Sequence, residues 1–294
     1  MNAGSDPVSD AHRILVGTSG YSFADWVGPF YPPGTRSGDF LSFYSGHFEA
    51  VEVNSTYYRI PHPRVLEQME RKTPPGFHFV VKLNQAMTHQ ASRDPALYRD
   101  FLAVLEPLKR AGKYDGLLAQ FPWGFKRTDA NRRHLEAVRG LLPGEPLFVE
   151  FRHDSWLTPQ LEPSLRAHRI GYCAVDEPRL QGLLPPVTML TTEDGYVRFH
   201  GRNARNWWGG DRGAPTGDLS GASLLGETSG SRASGDRYDY DYSEAELKEW
   251  LGKIAGLAQQ ARRTYLFFNN CHAGQAARNA KLMQELLRQQ SLRA

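Results

Sequence analysis

Titratable side chains recur at the ends of short apolar runs. Glu52, Lys82, Glu150 and His200 each stand at such a place, and these are residue types that move protons. A carboxylate beside an imidazole and an amine can acquire separated pKa values, which acid–base catalysis needs. Arg152, Arg198 and Arg202 lie on the same segments, and three guanidinium forks point to bidentate recognition of phosphate or carboxylate. Asn54, Gln120, Asp176 and Asn270 finish other runs and are expected to orient a ligand. Trp26, Trp123 and Trp156, with Trp207 and Trp208, follow strand ends and suit stacking on a nucleobase or sugar ring. The competing interpretation is a structural layer in which each arginine pairs with a neighbouring carboxylate.

Other chemistries are weaker. Glu150, Asp176 and His200 could ligate a divalent metal, but four nearby cations compete for the carboxylates, so no cofactor is expected and a metal is the minority case. A buried Lys82 would become nucleophilic if its pKa fell, a shift that adjacent carboxylates oppose. Glu52 and Glu150 could flank a glycosidic bond. His89, His153 and His272 are loop residues expected to make rim hydrogen bonds. Walker A, GxSxG, CxxC and HExxH patterns are absent.

The elements that must position these groups are eight short buried runs, at 14–19, 50–56, 78–84, 116–122, 147–153, 171–176, 196–202 and 264–270. Amphipathic stretches at 63–72, 95–111, 131–142, 159–168, 243–262 and 273–289 alternate with them, and 39–48 is a weaker helical segment. Asp94 before Pro95 and Thr158 before Pro159 are helix start signals. Most runs are spaced by about the 30 residues of a βα unit, so the expected fold class is α/β, a (β/α)8 TIM-like barrel. The interval from Asp176 to His200 holds Pro178, Pro185 and Pro186 and predicts a shortened sixth helix. A flexible insertion after strand seven, near 203–242, is rich in Gly, Ser, Arg, Asp and Tyr. Strand alternation turns Val51, Val53 and Phe151 toward helices. It sends Glu52, Asn54, Lys82, Gln120, Glu150, Arg152, Asp176, Arg198, His200, Arg202 and Asn270 to the C-terminal mouth, where such barrels carry their sites.

Composition agrees with a globular chain. It has 294 residues, 40% of them hydrophobic, and a net charge of +3 that is too mild to announce nucleic acid by itself. Residues 1–12 are expected to be a disordered tail and 13–294 a single barrel domain. No apolar run is long enough for a membrane span, and the polar 1–13 segment does not resemble a signal peptide. Two cysteines, Cys173 and Cys271, exclude a disulfide framework and fit a reducing cytoplasm.

Several motifs combine into a family resemblance: Gly17-Thr-Ser-Gly-Tyr21 with Trp26, Glu52-Val-Asn-Ser-Thr-Tyr-Tyr58, Phe79-Val-Val-Lys82, Gln120-Phe-Pro122, Glu150-Phe-Arg-His153 with Ser155-Trp156, Arg198-Phe-His-Gly-Arg202, Arg237-Tyr-Asp-Tyr240 and Phe268-Asn-Asn270. Together they resemble the YecE-like family, domain of unknown function 72, over nearly the whole chain. The resemblance implies a TIM-barrel-like fold and supplies no reaction. The expected function is an enzyme, with a hydrolase as the class considered, acting by acid–base chemistry on an anionic, phosphate-bearing small molecule, nucleotide or nucleic acid. A non-catalytic nucleic-acid-binding protein and a sugar-processing hydrolase are the alternatives. No membrane partner is expected, and the oligomeric state is not legible.

Overall fold

The computed structural model describes residues 12–208 and 237–292. Eight strands form a closed barrel in sequence order: β1 Arg13–Ser19, β2 Ala50–Val53, β3 His78–Lys82, β4 Tyr114–Gln120, β5 Leu147–Glu150, β6 Gly171–Asp176, β7 Gly195–Phe199 and β8 Arg263–Phe268. Every neighbouring pair is parallel, and β1 closes on β8 through Gly17↔Phe267 and Thr18↔Phe268. The strands are buried on both faces, as parallel strands under helices must be. Gly17 is needed at the β1–β2 seam, since a Cβ there would lie 2.1 Å from the Ala50 carbonyl oxygen.

Most strands end earlier than the apolar runs suggest. Residues 54–56 leave β2 and enter a helical turn, Ser55–Tyr58, and Asn84 leaves β3 to cap the turn Gln85–Thr88 by accepting from Ala86 N at 3.0 Å. Asn54, Asn84, Arg152, His200, Arg202 and Asn270 therefore belong to the βα loops, while Glu52, Lys82, Gln120, Glu150, Asp176 and Arg198 remain in their strands.

The helical expectations hold with several corrections. Asp94 caps Pro95–Ala103, its Oδ1 accepting from Ala96 N at 2.9 Å. The expected helix at 95–111 is two pieces, and Glu106–Arg110 starts afresh at Pro107, which has no N–H to continue the first. The Thr158 cap does not form. The helix there is Leu161–Ala167, which has no side-chain cap. Glu244–Ala258 opens with a reciprocal capping box between Ser243 and Glu246. The sixth helix is shortened to nothing, since 177–194 contains turns and no helix. The expected tail lies outside the described residues apart from His12, and so does 209–236 of the expected insertion. Among the described residues, no helix is long and apolar enough to cross a membrane.

Inside the barrel, Phe148, Tyr196 and Tyr265 pack in a layer, tilted or edge-on to one another, with ring centroids 4.8–6.0 Å apart. Charged groups lie at both ends. His78 Nδ1 and Arg263 Nη1 meet the Asp115 carboxylate at 2.6 and 3.0 Å on the N-terminal side. The C-terminal side carries the candidate site.

Candidate active site at the C-terminal mouth

Arg198 organises the mouth. From β7 its Nη1 donates to Glu150 Oε2 at 2.6 Å, and its Nη2 donates to Glu52 Oε1 at 2.7 Å and Ser19 Oγ at 3.2 Å. Tyr196, two residues earlier on the same face, donates its hydroxyl to Glu52 Oε2 at 2.6 Å. Glu150 Oε1 in turn accepts from Arg152 Nε. Burial alone would raise the Glu150 pKa, but Arg152 and Arg198, then His200, reverse this and hold it well below the usual carboxylate range. Glu52 and Glu150 are both fully buried.

His200 lies beside them, its Nε2 3.2 Å from Glu150 Oε1. Its Nδ1 faces Arg152 Nη2 at 3.5 Å and Asn269 Nδ2 at 3.1 Å. A guanidinium can only donate, so Nδ1 accepts and the proton resides on Nε2. Burial, then the Arg152 charge, lowers the pKa to about 3 and keeps the ring neutral.

Lys82 differs from the arginines. Among the described residues its ammonium makes no ion pair or hydrogen bond, and it sits 4.3 Å from the Tyr57 ring centroid. Burial, then Arg198, pushes its pKa down to about 7, against the opposing pull of Glu52 and Glu150. The expected veto of adjacent carboxylates is weakened because Arg198 and Arg152 already engage them. His89 is close enough to feel Lys82: burial, then Lys82 and Arg152, lower it to about 3, and its Nδ1 meets Thr88 Oγ1 at 2.8 Å.

The sequence did not single out several participants. Glu177 is buried under the 177–194 loop, its Oε1 accepting from Leu184 N at 3.0 Å and its Oε2 lying 3.4 Å from Arg152 Nη1. Burial lifts its pKa to about 8 despite Arg152. Tyr238 places its ring 6.3 Å from that of His200. Burial would raise its phenol pKa, yet Arg237, Arg152 and Arg198 bring it below the ordinary value. Cys173, with Sγ 3.9 Å from Glu150 Oε2, fills the space below and is kept as a thiol, first by burial and then by Glu150.

Of the residues read from the sequence, the structure brings Glu52, Lys82, Glu150, Arg152, Arg198 and His200 together. Gln120 stands opposite Glu150 in the β4–β5 register, its Nε2 donating to Phe121 O at 2.8 Å. Asn54 is half-buried after β2, with a buried Oδ1 that has no partner among the described residues.

Three others face the opposite way. Asp176 accepts from Trp250 Nε1 on Glu244–Ala258 at 2.5 Å, from Tyr242 OH at 2.7 Å, and from Arg202 Nε and Nη2 at 2.9 and 2.8 Å. Arg202 also binds Glu249 at 2.9 Å. Asn270 donates to Tyr240 O at 2.7 Å and to Asn279 Oδ1 at 2.6 Å, toward Gln275–Gln289. Their expected place at the mouth is corrected. Glu177 and Asn269, one residue away in each case, are the groups that contact the cluster. The trio Glu150, Asp176 and His200 considered for a metal does not converge. Among the described residues, no group of three His, Cys, Asp or Glu is arranged to hold a metal ion.

The tryptophans divide similarly. Trp26 is fully buried, donating to Cys271 O at 2.7 Å, and Trp156 stacks on Phe151 at 4.1 Å while donating to Phe125 O at 2.6 Å. Both pack loops to the barrel and are buried rather than lining the mouth. Trp123 is half-exposed and forms a rim cluster with Trp208 at 5.4 Å and His153 at 5.0 Å.

A family model described as "Protein of unknown function DUF72" matches residues 15–294. UPF0759 protein YunF of Bacillus subtilis is 32% identical over 286 residues, 93% of this chain and 94% of its own. UPF0759 protein YecE of Escherichia coli K12 is 32% identical over 145 residues, 48% of each chain. The crystal structure of a DUF72 family protein from Thermotoga maritima is similar with a TM-score of 0.80 at 39% identity, over 94% of this chain and 100% of that one. A DUF72 family protein from Enterococcus faecalis gives a TM-score of 0.77 at 26% identity, covering 94% and 95%.

Proposed function

This chain belongs to the DUF72 family of proteins of unknown function, and we propose that it is an enzyme performing acid–base chemistry at its barrel mouth on an anionic, phosphate-bearing substrate. The observation that carries this reading is Lys82, a buried amine with no carboxylate partner among the described residues, a setting in which burial, then Arg198, pushes its pKa down to about 7. A group poised at that pKa can both give and take a proton at neutral pH.

Glu52 and Glu150, read from the sequence as proton carriers, have no exposed surface and are spoken for by Arg198 and Arg152. Their role in this reading is to hold the guanidinium groups in place, and His200 supports the same frame as a neutral donor. The same burial disfavours the two carboxylates as a glycosidase pair. Arg152 retains capacity for an anion, because its contacts to Glu177 and His200 are long, at 3.4 and 3.5 Å. Arg237, 5.4 Å from the Trp207 ring, and Trp123, beside Trp208, are the further charge and ring surface in this reading.

The test is a calorimetric titration of the full chain with inorganic phosphate and glycerol phosphate, repeated with Lys82→Met and in buffers of different ionisation heat. Binding should be lost in the variant and should take up protons near pH 7, as the bound anion favours the ammonium form. Absence of binding, or binding indifferent to Lys82, would remove the basis for this reading. Saturation only by long nucleic acid, with steep salt dependence, would favour the binding-protein alternative.

A further inference from the structure

We propose that Lys82 is a carbonyl-reactive amine that forms an imine with an aldehyde or ketone group of the substrate. The anionic character of that substrate rests on the reading above; the carbonyl does not.

The fold treats its two buried lysines differently. Lys113 is 4% exposed, and its Nζ is surrounded by oxygens: Glu70 O at 2.6 Å, Thr73 O at 2.8 Å, Glu70 Oε1 at 3.1 Å and Thr73 Oγ1 at 3.2 Å. Those contacts hold an ammonium, which needs acceptors for its protons. Lys82 is 8% exposed at the end of β3 and has none of them among the described residues. Its ammonium lies over the Tyr57 ring, 4.3 Å from the centroid. An amine can lose its proton here without breaking an ion pair. Glu52 and Glu150 are the carboxylates whose charge acts on it, and both are already bonded to Arg198 or Arg152. The positive charges of Arg198 and Arg152 add to burial in favouring the neutral amine.

Imine formation requires little else. The amine nitrogen attacks the carbonyl carbon and a C–N bond forms. The carbonyl oxygen then departs as water, taking the two amine hydrogens, and leaves a C=N bond to Lys82. No oxidant or metal enters the balance. The expected substrate class is a small oxo acid or a phosphorylated aldehyde or ketone, its anionic group toward Arg152 and its carbonyl over Lys82.

At pH 7 an amine with a pKa of about 7 presents roughly a thousandfold more free base than an ordinary lysine at 10.5. The experiment is reductive trapping: the full-length protein is incubated with glyoxylate or pyruvate and borohydride, then analysed by intact mass and peptide mapping. The expected result is one adduct per chain, on Lys82 and formed well ahead of any other lysine, and its loss in Lys82→Met with no change in circular dichroism. The wild-type peptide map is decisive even if the variant folds poorly. No adduct, or adducts spread over surface lysines with Lys82 not preferred, overturns the proposal. If phosphate still binds in a Lys82-dependent manner in that case, only the imine falls. Trapping at Lys82 without any phosphate binding retains the imine and removes the anionic-substrate reading.

Discussion

Arg198 on β7 reaches past the intervening β6 to Glu150 on β5, Nη1 to Oε2 at 2.6 Å, with both side chains sealed from solvent. Its second arm ends on Glu52 of β2, so one guanidinium ties together strands from separate sides of the lumen. Removing a partner from a buried ion pair leaves an uncompensated charge and typically costs about 3–5 kcal/mol. Arg198→Met should therefore lower the unfolding free energy from urea denaturation by that order, with a lower midpoint, and adding Glu150→Gln should recover part of the loss. A midpoint close to wild type would mean that the three groups are not held as a buried unit.

Glu177 introduces a pH dependence of definite sign. Its pKa is about 8 in the fold against an ordinary value of 4.5, so between these pH values the folded chain holds a proton that the unfolded chain has released. This contribution to stability is present below about 4.5, declines as pH rises, and is fully lost above about 8. Denaturation midpoints taken from pH 4.5 to about 6, below the titration of Lys82 near 7, should fall less steeply in Glu177→Gln than in wild type. Parallel profiles would show that Glu177 is ionised in the fold.

His200 should remain a neutral ring with its proton on Nε2. Burial, then Arg152, holds its pKa at about 3, and Arg152 Nη2 occupies the Nδ1 side as a donor. Nitrogen-15 NMR of labelled histidine should show an Nε2–H tautomer that does not titrate near 6.5. Protonation in the ordinary range, or an Nδ1–H signal, would require Arg152 to lie elsewhere.

Asp176 supports the loop rather than the mouth. It binds Arg202 and Tyr242, one near each end of the excursion after β7, together with Trp250. Gly201 makes the approach possible, since its φ is +89° and a Cβ there would lie 2.6 Å from Tyr240 Cβ. Asp176→Asn should cost about 1–3 kcal/mol, the range for stranding buried donors. Phosphate affinity should change little. A loss of affinity as large as that of Lys82→Met would return Asp176 to the site.

The misplacement of Asp176 shows where sequence reading reached its limit. Barrel closure was legible because eight apolar runs recur at βα spacing. On β7, Tyr196, Arg198 and His200 alternate with Val197 and Phe199, so the inward face could be identified. On β6 and β8 both faces are buried and the alternation carries no polarity. Each run then ends in a polar doublet, Asp176-Glu177 or Asn269-Asn270, and a shift of one residue exchanges the lumen for the helix side. Trp26 and Trp156 were misassigned for a related reason: an aromatic after a strand can fold back under its loop as readily as face a ligand. The state of Lys82 depends on which arginine engages which carboxylate, a relation among β2, β5 and β7 that spacing does not contain.

In the proposed chemistry Lys82 works as a free amine near neutral pH. Nitrogen-15-labelled lysine NMR, with the Lys82 signal assigned by its absence in Lys82→Met, reads this directly. The expected titration midpoint is near 7. A midpoint near 10.5, with the ammonium intact through neutrality, would contradict it.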